Sequence, residues 1–211
     1  MIEGGFLSKD IIKVNGNTFI YKDEEYDYSD FLKISRYIKK PVFIILNQDI
    51  YVRKIKVNSK KIDEDTINKI KELEFGKEED FLIDYEVGEN KEYIYMYALR
   101  EGEKISKLSK YSKELKVIPI QVQYKKKFEK LLHKKSYQCI FYYLDVFYYL
   151  NVENKRIKIC SIYRKLDDAL EFIKQVCSHN ILYVGEGVNI KDNTINCIRV
   201  GDMCNDKILF K

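Results

Sequence analysis

The side chains best placed to do chemistry are few. Gly185-Glu186-Gly187 follows an apolar stretch and is similar to a glycine-rich nucleotide turn, where missing side chains let backbone approach a bound group. An ordinary turn after a strand uses the same residues, so both readings stay open. Asp145 sits inside the aromatic run Cys139 to Leu150. It is either a ligand-facing acid or a turn residue between two strands. Glu78-Glu79 and Asp167-Asp168 fall at expected turns or helix starts, where acids oppose the helix dipole. Asp84 alternates with apolar neighbours, so its side chain is expected to face away from the core. Cys139 and His133 are separated by a helix-to-strand boundary, poor spacing for a nucleophilic dyad. There is no GxxxxGK[ST] phosphate cradle and no GxSxG elbow. No catalytic constellation emerges, and the chain is not expected to be an enzyme.

The cysteines point the same way. Cys139, Cys160, Cys177, Cys197 and Cys204 form no CxxC pair, and His133 and His179 are the only histidines. A zinc site would need scattered ligands, so reduced, mostly buried thiols and no metal are expected.

The elements that must position these residues belong to a folded chain. It has 211 residues, 45% hydrophobic and 34% charged, a globular balance. No run approaches the roughly 20 apolar residues of a membrane-spanning helix. The start, MIEGGFLSKD, lacks the basic and apolar segments of a secretory signal, so a cytoplasmic location is expected. The net charge of +5 comes from interleaved charges, with a basic triplet at Lys125-Lys126-Lys127 and a nearby pair at Lys134-Lys135. A nucleic-acid surface needs a denser one-sided field, so nucleic acid is not expected as a partner.

Along the chain, Ile11–Val14 and Thr18–Tyr21 flank Asn15-Gly16, a pair suited to a type I′ hairpin turn. An acidic turn and a helix from about Ser29 to Lys39 follow, ended by Pro41. Val42–Leu46 is continuously apolar, as in a central strand. Ile50–Val57 alternates as a strand, Asp63 can cap a helix through Leu73, and Phe81–Val87 and Tyr93–Leu99 are strands. A helix from about Glu101 to Glu114 and a strand Val117–Val122 complete β-α-β-β-α-β, the split βαβ order. Beyond it come an amphipathic helix through Tyr124, Phe128 and Leu132, then strands Cys139–Leu144, Val146–Val152 and Arg156–Ile162. A helix over Asp167–Cys177, a strand Ile181–Val184, and strands at Ile195–Val200 and Ile208–Phe210 end the chain.

Three segments carry a resemblance. Val42–Val57 (VFIILNQDIYVRKIKV), Ile62–Val87 with its Asp84-Tyr85 pair, and Tyr93–Val122 resemble the type IV pilus assembly PilM family, a branch of the actin-like ATPase superfamily. The resemblance covers roughly residues 42–130. It implies an α/β (α+β) chain with a reduced actin-like, ribonuclease H-like fold. Residues 1–48 and 123–211 would form the body, and 49–122 an inserted βαββαβ subdomain. It also implies ATP as cofactor, with Asp145, Gly185 and Gly187 as vestigial binding residues. The chain departs from that pattern. It has no Asp-x-Gly at its start, and Val146 and Phe147 stand after Asp145, where a phosphate loop needs glycine. No cofactor is therefore expected.

The function implied by resemblance is a non-catalytic scaffold of a type IV pilus or type II secretion-like machine, on the cytoplasmic side of the membrane. Its partners would be the cytoplasmic tail of a membrane-anchored assembly protein and an assembly motor ATPase. Tyr51, Arg53, Tyr85 and Tyr95 are the candidates for lining the tail groove, because aromatic and arginine side chains dominate binding hot spots. A nucleotide-binding actin-like switch and a nucleic-acid-binding module through Lys125–Lys127 are the alternatives.

Overall fold

A computed structural model describes residues 10–57, 62–76, 81–88, 92–100, 102–110, 115–176 and 181–200. The expected strand at Ile208–Phe210, the pair Glu78-Glu79, and Cys177, His179 and Cys204 lie outside the described residues.

The chain divides into two units, residues 1–47 with 103–120, and residues 48–102 with 121–211. In the first, β1 (Asp10–Asn15), β2 (Thr18–Tyr21) and β3 (Glu24–Asp27) form an antiparallel meander. Helix α1 (Tyr28–Ser35) leads to β4 (Pro41–Leu46), which runs parallel to β1. Helix α3 (Gly102–Ser109) precedes β8 (Lys116–Pro119), parallel to β4. The sheet order is β3-β2-β1-β4-β8. Every residue of β4 is buried, as its unbroken apolar run requires. The Asp27 carboxylate caps α1 by accepting from the Asp30 amide at 2.8 Å. Phe31 of that helix stacks on Phe19, their ring centres 4.6 Å apart.

The second unit repeats this plan. β9 (Tyr137–Tyr143), β10 (Val146–Glu153) and β11 (Arg156–Tyr163) form a meander, α5 (Leu166–Val176) follows, and β12 (Leu182–Val184) runs parallel to β9. β13 (Cys197–Arg199) pairs parallel to β12, giving the order β11-β10-β9-β12-β13. Each sheet thus has its own first, second and third strands on one side and its fourth and fifth on the other. One face packs on α5 through Ile140, Tyr149, Leu170 and Ile173. The other carries Phe141, stacked between Tyr124 of α4 (Ile120–Leu132) at 3.7 Å and Tyr148 at 4.9 Å.

The second unit also contains a smaller sheet, order β5-β7-β6, built from β5 (Tyr51–Lys56), β6 (Leu82–Val87) and β7 (Tyr93–Leu99). Helix α2 (Glu64–Phe75) covers one face, burying Ile67 against Ile94 and Met96, and Asp63 caps it as the sequence suggests. The order β-α-β-β-α-β is present. However, Lys116–Pro119, expected to close this insert, pairs with β4 in the first unit's sheet instead. The expected strand to Val122 also stops at Pro119, and Ile120 begins α4.

Candidate functional site

In the actin-like resemblance, the turns between first and second strands would hold phosphates. Here both are two-residue hairpins. Asn15 pairs with Thr18, leaving Gly16-Asn17 as the β1–β2 loop. Gly16 has φ of 58° and Asn17 is not in the left-handed region, so the turn is II′ rather than the I′ turn over Asn15-Gly16. Tyr143 pairs with Val146, leaving Leu144-Asp145 as the β9–β10 loop. Both residues have positive φ, 45° and 61°, the geometry of a I′ turn without glycine. Asp145 thus stands in the turn between the two strands.

Asp145 and Gly187 come together around a residue the sequence reading did not single out, Tyr142, while Gly185 packs on Phe141 instead. The Tyr142 hydroxyl donates to Asp145 Oδ1 at 2.8 Å, and that bond raises the hydroxyl's pKa. The same ring lies against Gly187, where a Cβ would be 3.0 Å from Tyr142 Cδ1. Gly187 has φ of 74°, so glycine is needed there for backbone and space alike. Gly185 donates its amide to the Ile140 carbonyl at 2.8 Å, and a Cβ on it would meet Phe141 Cβ at 3.1 Å. The first glycine serves close strand packing and the second accommodates a tyrosine ring. The Tyr142 side chain fills the space beside Gly187.

The four candidate partner-binding residues do not form one surface. Pairing of β5 and β6 with β7 sets the faces. Tyr51, Arg53 and Tyr85 share the α2 side with Ile55, Met96 and Ile94. Arg53 Nε lies 3.8 Å from Glu74 of α2, Lys71 of α2 lies over the Tyr85 ring, and Tyr51 meets Phe81 edge-on. Tyr95 is on the opposite face with Tyr93 and Tyr97.

That opposite face carries lysines on one side and carboxylates on the other. Lys54 pairs with Tyr95, and Tyr95 with Glu86. The Lys54 ammonium sits 4.4 Å from the Tyr93 ring centre and 5.6 Å from that of Tyr95. Arg156, at the start of β11, crosses this face. Its guanidinium is 5.2 Å from the Tyr95 ring, its Nε is 3.4 Å from Glu86 Oε2, and its Nη2 donates to the Val87 carbonyl at 3.3 Å. Burial, and then the Glu86 charge, push the Tyr97 hydroxyl well above the ordinary phenol value. At the other end, Asp49 accepts from the Ile162 amide of β11, and burial raises its carboxyl above the usual range. Sequence spacing gave no signal for Arg156 or Asp49, because both act across elements distant in the chain.

The remaining candidates do not assemble. Lys125 pairs with Glu129 at 3.2 Å and is mostly buried, Lys127 lies 6.0 Å from the Tyr124 ring centre, and Lys126 is exposed. A helix spreads three consecutive residues around its axis, so this run is not one basic face. Cys139 is wholly buried in β9 with its thiol pushed up by burial, which is contrary to an activated nucleophile. Asp167 and Asp168 lie in the first turn of α5. No cluster able to hold a metal ion occurs among the described residues.

No protein-family model matches the chain, and no curated protein matches it in sequence. Solved structures do match in fold. A Bacteroides thetaiotaomicron protein of actin-like ATPase fold and unknown function is 9% identical, with a TM-score of 0.52 over 88% of this chain and 84% of that one. The cytoplasmic domain of EpsL, an inner-membrane component of the Vibrio cholerae type II secretion system, is 9% identical, with a TM-score of 0.56 over 90% and 89%. A chain of a PilM-PilN type IV pilus biogenesis complex is 11% identical, at a TM-score of 0.45 over 80% and 62%. The first places the chain in the actin-like ATPase fold, in accord with the doubled strand order.

Proposed function

We propose that this chain is a non-catalytic docking protein of a pilus or type II secretion-like assembly machine, held at the cytoplasmic face of a membrane by the cytoplasmic tail of a membrane-anchored partner. The observation that carries the reading is the β9–β10 turn. Where the fold's nucleotide-binding relatives need an open, glycine-bearing loop, this chain has Leu144-Asp145 in a two-residue hairpin, with Tyr142 bonded to the acid and packed on Gly187. A fold whose phosphate turns are closed keeps its surfaces, and recognition is what surfaces do. The likeness to the EpsL cytoplasmic domain supports the secretion context, as does the sequence resemblance to the PilM family. ATP is not a cofactor in this reading, and an assembly motor ATPase is a second partner.

The test is a co-purification from detergent-solubilised membranes with the full chain as bait, followed by titration with the synthetic cytoplasmic tail of any single-span protein recovered. The expected result is saturable binding of the tail, unchanged by added MgATP. Failure to bind any such tail, together with saturable nucleotide binding, overturns the reading in favour of a nucleotide switch.

A further inference from the structure

The two edges of the small sheet differ in a way that points to a ligand. Alternation fixes which backbone groups face outward. The Gly88 amide donates to the Tyr93 carbonyl at 2.8 Å, so residues 86, 84 and 82 of β6 face β7, and 83, 85 and 87 face out. Two of the outward groups are already occupied. The Tyr85 amide donates to the Asp84 carboxylate at 2.8 Å, and the Val87 carbonyl accepts from Arg156. With acidic Asp84 and Glu86 beside them, these contacts blunt β6 against further strand pairing.

β5 is the other edge. The Val57 amide donates to the Glu92 carbonyl at 2.8 Å, so residues 57, 55, 53 and 51 face β7, and 52, 54 and 56 face out. The Val52 carbonyl receives Arg53 Nη1 at 3.4 Å. Among the described residues β5 pairs with β7 alone, so within them the outward backbone of Lys54 and Lys56 lies on an open edge of the sheet. Arg53, Lys54 and Lys56 are all exposed, and Arg53 has an acidic neighbour across the α2 face, Glu74 at 3.8 Å. Beneath Lys54 lie the rings of Tyr93 and Tyr95.

We infer that the β5 edge, from Arg53 to Val57, is a docking strand for an extended acidic segment of a partner protein. The inference rests on the reading of this chain as a docking protein and names the edge and the ligand chemistry. Main-chain hydrogen bonds to Lys54 and Lys56 supply the attachment, and the two ammonium groups select carboxylates on alternate residues of the incoming strand. Lysine on an open edge also keeps like edges apart. That role alone predicts no ligand, so the two are separable.

The experiment titrates the full chain with a fluorescein-labelled peptide of alternating glutamate and valine, its lysine–valine counterpart, and the acidic peptide N-methylated at alternate residues. The acidic peptide is expected to bind at least tenfold more tightly than the basic one, to lose at least tenfold on N-methylation, and to lose at least tenfold against the K54E/K56E variant. Lys54→Gln, which keeps the outward amide, is expected to lose only two- to threefold. Equal binding of the acidic and N-methylated peptides overturns the proposal, since no strand pairing is then involved. Absence of acidic-peptide binding also overturns it. In that case, a membrane-protein tail that still binds K54E/K56E normally leaves the docking function standing and only the edge rejected.

Discussion

The Tyr142 hydroxyl and the Asp145 carboxylate, 2.8 Å apart, close the β9–β10 turn from within. The acid is held by a neighbour three residues back, and the ring making that bond also covers Gly187. A turn with an internal partner for its only charge is organised for structure.

Two glycines with similar backbone separate strain from packing. Gly16 and Gly187 both have positive φ, but a Cβ at Gly16 meets nothing within 4 Å while one at Gly187 meets Tyr142 at 3.0 Å. Gly16→Ala should cost about 1 kcal/mol of stability from backbone alone. Gly187→Ala should cost about 1–3 kcal/mol, and G187A combined with Tyr142→Ala should recover part of the difference. Urea titration of the four proteins measures both.

Arg156 joins the small sheet to β11, and its side chain is only 16% exposed. Arg156→Met keeps much of the contact with Tyr95 but removes the links to Glu86 and Val87. It should lower stability by about 1–2 kcal/mol. Hydrogen exchange should accelerate first in β6 and β7. Uniform acceleration across the chain would mean that Arg156 supports the whole unit instead.

Asp49 gives a pH signature with a definite sign. Burial raises its carboxyl in the folded chain, against a smaller opposing effect of the Ile162 amide. The folded state therefore holds this proton after the unfolded chain has released it. Its favourable contribution is complete below the unfolded value and disappears as pH rises through the folded one. Asp49→Asn should then raise the Tm at about pH 7, with the gain vanishing near about pH 3, below the unfolded carboxyl's range. A gain that is the same at both pH values contradicts this account.

Thiol chemistry should divide by burial. Cys160 is pushed up to about 12 by burial, Cys139 is raised as well, and Cys197 is exposed. Iodoacetamide at about pH 8 should label Cys197 in the native protein and leave Cys139 and Cys160 unmodified until denaturant is added. Peptide mass mapping reads this directly.

Much of the local structure was legible in the sequence. The capping role of Asp63, the buried β4 and the strands flanking Asp145 all follow from local spacing and residue type. β3 was missed, because Glu24-Glu25-Tyr26-Asp27 has the composition of a turn and is a strand only through pairing with β2. The destination of Lys116–Pro119 was misread for a related reason. Its partner β4 is some 70 residues away, and alternation states that a strand exists without stating what it pairs with. The same limit split the candidate site. Parity along β5 puts Tyr51 and Arg53 together, but only the register with β7 places Tyr95 on the other face. The repeated strand order of the two units leaves no repeat in sequence, since many apolar residues satisfy the same positions.

The most direct test of the central claim, docking without nucleotide, is calorimetric titration of the full chain with MgATP and MgADP into the millimolar range. Substitution at Gly185 would disturb packing on Phe141, so Asp145→Ala is the suitable control. The account predicts no saturable heat for either nucleotide and no difference between the wild-type chain and Asp145→Ala. Saturable binding of either nucleotide that Asp145→Ala abolishes would contradict it.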